Sequence, residues 1–128
     1  MVKMIYCLKR LPDMSQEEFH KYWLEKHGPL VRERAPAMKV KRYIQSHTVS
    51  DSGGVSFNKA IRDSRGSAEP FDGAAELWWE SIDDMVAAAN DPDGGKAAAE
   101  LLEDEKNFVD FSRSSIFLVE EHEFYSEL

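Results

Sequence analysis

Two histidines, His27 and His47, are the residues of this chain best suited to chemistry. An imidazole with an unperturbed pKa of about 6.5 can take and return a proton near neutral pH, as general acid–base catalysis requires. His27 lies in the stretch Phe19 to Val31, which also carries Tyr22, Trp23 and a second histidine, His20. On a helix turning about 100° per residue, Phe19, Tyr22, Trp23, Leu24 and His27 share one broad arc. Glu17, Glu18, Lys21 and Glu25 share the opposite one. His20 falls inside the apolar arc as well, so angle alone does not single out His27. Its place in the last turn does, because Gly28 permits the left-handed turn that closes a helix and Pro29 cannot donate to a continuing ladder. The ring is therefore expected at the rim of a cavity, in contact with water. Burial there lowers its pKa and a nearby carboxylate raises it again. His47 is its natural partner if that face of its strand meets the same cavity. For either histidine the plain structural alternative is a ring nitrogen bonded to a backbone carbonyl.

Around these two stand groups that could hold a substrate. Tyr6, Trp23, Tyr43 and Trp79 can stack on a flat molecule, although aromatic residues of this size also serve as plain core. Arg62, with Arg65, is the strong anion-binding group of a long loop, unless it is merely paired with surface carboxylates. Other chemistries have little support. No His-Glu-x-x-His pairing occurs, and a metal set made of His27, His47 and Glu121 would depend on tertiary placement, so no metal and no cofactor is expected. Gly53-Gly54 and Gly94-Gly95 lack the flanking pattern of a phosphate-binding loop. Cys7 is the only cysteine and sits in an apolar run, which suits a small buried hydrophobe better than a nucleophile.

Sixteen basic against twenty-four acidic residues leave a formal net charge of −8, which repels phosphate backbones and anionic lipid. Neither nucleic acid nor membrane is an expected partner. The N-terminal apolar run is too short for a secretion signal, and no run approaches a membrane span, so a cytoplasmic location is the expectation. The 128 residues suit one domain with one core, spanning 1–128.

The elements that must position these residues can be read in order. Val2 to Lys9 is a strand with Val2, Met4, Tyr6 and Leu8 on one face and Lys3, Ile5, Cys7 and Lys9 on the other. Ser15-Gln16-Glu17-Glu18 is a capping box that starts the first helix. Lys39 to Val49 is the second strand. Residues 50–71, rich in glycine, serine and proline signals, are expected to form a flap with one or two helical turns. Asp72 to Glu80 is the third strand, with Leu77 and Trp79 on one face and Glu76, Trp78 and Glu80 on the other. Ser81 caps a helix over Ile82 to Ala89, the stretch from Asn90 to Gly95 breaks it, and a further helix runs from about Lys96 to Lys106. Ser115 to His122 is the fourth strand.

This order is β-α-β-β-α-β with an extra helix, the α+β ferredoxin-like arrangement of a four-stranded antiparallel sheet with helices on one face. The other face should be polar if it met water. Three strands instead carry large apolar residues on both sides: Tyr6 against Ile5, Trp78 against Trp79, Phe117 against Leu118. A second copy of the same sheet is the simplest cover, giving a homodimer built as a dimeric α/β barrel. Trp78 and Trp79 cannot face the same way, so one is expected in the subunit's own pocket and the other in the dimer interior.

The motifs carry a resemblance. Met4 to Arg10, Ser15 through Phe19, Tyr22-Trp23 and His27-Gly28-Pro29-Leu30-Val31 resemble the EthD family of the dimeric α/β-barrel superfamily. Asp72 to Trp79 and Asn107-Phe108-Val109-Asp110 continue the likeness, with 50–71 its weakest part. The resemblance implies a pocket for a small apolar or aromatic molecule between the sheet and the helices of each subunit. It leaves the reaction open, since related barrels include cyclases, dehydratases, isomerases, monooxygenases without metal cofactors and haem-degrading enzymes. Cyclase relatives carry a histidine near the turn after the second helix; Asn90 to Gly95 has none. Two functions follow as expectations. One is a small cofactor-independent enzyme doing proton transfer, such as cyclisation, isomerisation or dehydration, on an aromatic or polyketide-like compound. The other is a non-catalytic binding or accessory protein for a hydrophobic metabolite in a degradation pathway.

Overall fold

Apolar residues on both faces suit β1 (Val2–Leu8) to an interior position of the sheet in the computed structural model, which describes residues 1–128. It pairs antiparallel with β3 (Gly73–Trp79) on one side and β4 (Ser115–Val119) on the other, while β2 (Arg42–His47) pairs with β3, giving the order β2-β3-β1-β4. Residues opposite one another share a face. Val2 faces Trp79, Met4 faces Leu77 and Leu118, and Tyr6 faces Ala75 and Ile116, so this set forms the surface on which the helices pack. The open, four-stranded antiparallel ferredoxin-like sheet is the one the sequence implies.

The helical layer departs from the sequence reading at one point that matters for the site. α1 (Gln16–Tyr22) starts at the expected capping box, with the Glu18 amide donating to Ser15 Oγ at 3.1 Å and the Ser15 amide donating to Glu18 Oε1 at 3.1 Å. It does not stop at Gly28. The chain passes through a π-helical turn (Trp23–His27) directly into α2 (Gly28–Arg34), and Gly28 has an ordinary right-handed φ of −55°. Pro29 is accommodated because it falls in the first turn after the bulge, where the ladder is already rearranged. The wide turn has a packing consequence. Phe19, Trp23, His27 and Val31 are all buried at intervals of four, and on a pure α-helix such positions drift by about 40° per step. A turn closed five residues back, with the Gly28 amide on the Trp23 carbonyl, absorbs much of that drift and keeps the four side chains on one line.

Other boundaries shift for local reasons. The stretch 50–71 is no flap of one or two turns: it holds α3 (Ser52–Arg65), capped by Asp51, whose Oδ2 accepts from the Gly54 amide at 2.8 Å, and closed by Gly66 at φ 61°. None of its residues is buried, and Phe57 and Ile61 are exposed. β2 is shorter than 39–49 because Lys39 takes a positive φ of 59° in the turn before it. The stretch Asn90 to Gly95 is a corner rather than a long break. Asp91 ends α4 (Ile82–Asn90) and caps α5 (Pro92–Glu105), with Pro92 in the first turn. β4 stops at Val119, short of His122, and 120–128 are exposed without regular structure.

Beneath the cavity end of the sheet, Asp72 is 1% exposed and carries an ionised partner. Arg10 reaches it twice, from Nη1 at 2.5 Å and from the backbone amide at 2.8 Å, and Gln16 Nε2 adds a bond at 3.2 Å. A buried carboxylate is tolerated when paired in this way, and here it ties the end of β1 and the start of α1 to the start of β3.

The outer sheet face is less bare than its sequence suggests. Trp78 is 9% exposed within one chain, sandwiched by Lys3 and Arg42, each 4.8 Å from its ring centroid, with its Nε1 donating to Glu121 at 2.7 Å. Lys3 also pairs with Glu76 at 2.5 Å. Apolar on that face are Ile5 and Phe117, paired side by side, with Ile44 beyond Glu76.

Candidate functional site

Between the inner sheet face and the helices lies a cavity of about 160 Å³ whose lining includes His27, Tyr6, Trp23, Tyr43 and Trp79. Fourteen of its sixteen lining residues are hydrophobic, and the two that are not are His27 and Glu105. Ile116 on the edge strand lines it too and is half exposed, which marks the rim. Alternation along β1, β2 and β3 brings Tyr6, Tyr43 and Trp79 to this side. Trp79 is anchored by its Nε1, which donates to the Met38 carbonyl at 2.9 Å. Trp78 therefore faces outward and Trp79 inward.

His27 sits within the π-helical turn rather than at a helix terminus, and it is 6% exposed rather than open to water. Its Nδ1 lies 2.8 Å from Asp104 Oδ2 on α5, and Asp104 also accepts from the Tyr22 hydroxyl at 2.6 Å, with Asn107 bridging to that hydroxyl at 3.1 Å. In the neutral ring an Nδ1–H donating to the carboxylate leaves the Nε2 lone pair free for the cavity. Burial pushes the His27 pKa below its ordinary value, against the opposing pull of Asp104. Burial acts to raise Asp104, but the hydrogen bonds from Tyr22 and His27 outweigh it and hold the carboxyl low. The arrangement is an oriented, neutral base in an apolar site.

Glu105, the neighbour of Asp104, points the other way around the helix into the same cavity. Burial pushes its pKa up to about 7; the Tyr6 hydroxyl opposes the rise and the Asp104 charge adds to it. Tyr6 itself is raised by burial and by Glu105, and burial pushes Tyr43 up to about 12, so both phenols stay neutral. Sequence reasoning missed Asp104 and Glu105. A signal existed for Glu105: Ala97, Leu101 and Glu105 are spaced by four, so the carboxylate occupies a position on the buried stripe of an alanine-rich helix.

His47 and Arg62 are not in this cavity. His47 stacks on Trp23, ring centroids 4.5 Å apart at 17°, beside His20 at 4.7 Å. Its Nε2 contacts Gln45 Oε1 at 2.7 Å, and burial followed by the His20 charge lowers its pKa. It shares an open groove with Arg62 under α3, where Arg62 lies 3.8 Å from Glu69. Trp23 lines the cavity together with His27 and stacks on His47, which lies outside it. No three His, Cys, Asp or Glu side chains converge as a metal-binding set, and no helix is long and apolar enough to cross a membrane.

Solved structures share the architecture. An ethyl tert-butyl ether degradation (EthD) family protein from Bacillus halodurans aligns at 16% identity over 95% of this chain and 99% of its own, with a TM-score of 0.60. An EthD-like protein from Ralstonia eutropha aligns at 15% identity over 93% and 90%, TM-score 0.56, and HapK from Hahella chejuensis at 8% over 98% of each chain, TM-score 0.59. No curated protein matches in sequence. At these identities the likeness establishes the fold, and the EthD domain model, matching residues 11–112, establishes the lineage: the chain belongs to the EthD family.

Proposed function

We propose that the chain is a small enzyme that transfers protons on a small, apolar, aromatic or ring-shaped compound, with His27 exchanging the proton. One observation carries this reading: an apolar cavity in which a buried histidine bonds a carboxylate through one ring nitrogen and keeps the other free. A binding protein needs no such dyad. The volume suits one ring, since a cavity of about 150 Å³ accommodates benzene. The chemistry asks only for a group that accepts a proton and a group that returns it. The outward-facing pair Ile5 and Phe117, with Phe117 exposed in the single chain, supports a homodimer through the sheet, the pairing that would form the α/β barrel. Sedimentation of the Phe117→Asp variant would then show monomer where the unmodified protein is dimeric.

The proton-transfer reading is tested on the small molecules that the protein retains through purification, identified by mass spectrometry and incubated with it in D₂O. Carbon-bound hydrogen in the retained compound should exchange with the unmodified protein. Retention of an apolar compound that never exchanges or converts would establish the alternative, a binding or accessory protein.

A further inference from the structure

We infer that Glu105 is a second catalytic residue, a general acid that works with His27 on one neutral ring ketone or its enol. The inference rests on the proton-transfer reading and names its substrate class. The cavity contains no lysine or arginine, and the imidazolium formed on His27 is already paired with Asp104, so an enolate formed there would be a buried anion without a cation of its own. Charge that develops on the substrate oxygen must be met by a proton. Of the lining O–H groups Glu105 gives up its proton most readily, since burial raises the Tyr6 and Tyr43 phenols, while anionic substrates are disfavoured by the same absence of cations. A neutral carbonyl compound of one ring matches the volume and the fourteen hydrophobic lining residues.

The step balances within the cavity. His27 Nε2 takes the proton from the carbon next to the carbonyl; that C–H bond breaks and its electron pair becomes the new C=C bond. The carbonyl π pair moves to oxygen, which takes the Glu105 proton as the Glu105 O–H bond breaks. The product is a neutral enol, with His27 as imidazolium and Glu105 as carboxylate, and the reverse step restores both. Where the ring carries a second double bond conjugated with the enol, proton return at the far end of that dienol shifts the double bond and gives an isomerised ketone.

Environment sorts the two roles. His27 is held neutral by burial, and Glu105 remains protonated up to about 7, the separation of two titrating groups that marks a base and an acid. The groups facing Glu105 are Tyr6 from β1, Tyr43 from β2, His27 from the π-helical turn and Asp104 beside it on α5. Neither phenol ionises in this range, so activity should rise with pH as His27 loses its proton and fall above about 7 as Glu105 loses its own.

Cyclohexanone is the probe, with exchange of its α-hydrogens for deuterium followed by NMR. The unmodified protein should accelerate exchange above buffer. Glu105→Gln, nearly isosteric, should lower the rate at least tenfold and abolish the descending limb near pH 7, while circular dichroism and saturation-transfer NMR show it folded and still binding cyclohexanone. Equal rates in the two proteins, or an unchanged descending limb, would overturn the assignment of Glu105. Failure of the unmodified protein to accelerate exchange would overturn the ketone substrate class and leave the proton-transfer reading to be decided by the retained compound.

Discussion

His27 lines the apolar cavity and His47 stacks on Trp23 outside it, and the contrast shows what turns a histidine into a reagent. Both are lowered by burial, both touch aromatic rings, and both bond a side chain through one nitrogen. His27 bonds an ionised carboxylate and lines an apolar cavity. His47 bonds the neutral amide of Gln45 and lies against His20 in an open groove. A carboxylate partner fixes the tautomer and stabilises the imidazolium formed during proton transfer; an amide partner gives orientation without that charge.

The contrast breaks first under His27→Gln, which keeps size and hydrogen bonding while removing the titration. Cyclohexanone exchange should fall about a hundredfold or more with circular dichroism unchanged, whereas His47→Gln should stay within a fewfold. Equal losses at both positions would make the two sites equivalent.

Glu105→Gln tests the cavity through stability. A carboxyl raised from an ordinary 4.5 to about 7 contributes stability below pH 4.5 that is lost as pH rises through 7. The full shift corresponds to an upper bound of about 3 kcal/mol. Screening through the rim reduces it, so the variant should gain about 1–2 kcal/mol relative to the parent at pH 8 and nothing at pH 4. Chemical denaturation at the two pH values measures the difference. The His27 and His47 shifts have the opposite sense: the unfolded chain binds their protons first, so both sites weaken the fold as pH drops below about 6.5.

Asp104→Asn separates the histidines by titration. Loss of the carboxylate removes what opposes burial, so the His27 midpoint should drop further while that of His47 stays fixed, read by NMR of the ring protons. Exchange should fall about tenfold, the range expected for a positioning partner rather than for the base itself.

Alternation on β1 and β3, the Ser15 capping box and the helix starts at Ser81 were legible because they are local. Parity also opposed Trp78 to Trp79 and grouped Tyr6 with Met4, but which face of each strand meets the helices was not legible, because only the packing of the helical layer decides it. Asp104 was not legible either, since its partners Tyr22 and His27 lie 82 and 77 residues away. Arg62 read as a ligand for the same reason: nothing local says that α3 lies beyond the cavity. The end of the first helix was misread because Gly28-Pro29 is a stop signal only until tertiary contacts overrule it. The contact that does so is Gln45, whose Nε2 donates to the Trp23 carbonyl at 2.8 Å inside the π-helical turn.

Gly28→Ala, the smallest substitution, tests that contact and sharpens the comparison from the His47 side. Gly28 has helical geometry, so alanine should stabilise the helix by up to about 1 kcal/mol. Its Cβ, however, would stand 2.9 Å from Gln45 Nε2 and 3.2 Å from the Trp23 carbonyl oxygen. The amide is the end of a flexible side chain and can leave, giving up its bonds to Trp23 and to the Tyr43 hydroxyl and releasing the His47 ring. Each lost bond costs about 1 kcal/mol, so the three together outweigh the helix gain and stability should fall by about 2 kcal/mol. The site-resolved signal identifies the cause: the His47 titration should move while that of His27, held by Asp104, does not. If His27 moved as well, the π-helical turn would have been lost with the Gln45 contact, and the two histidines would belong to one coupled unit rather than two.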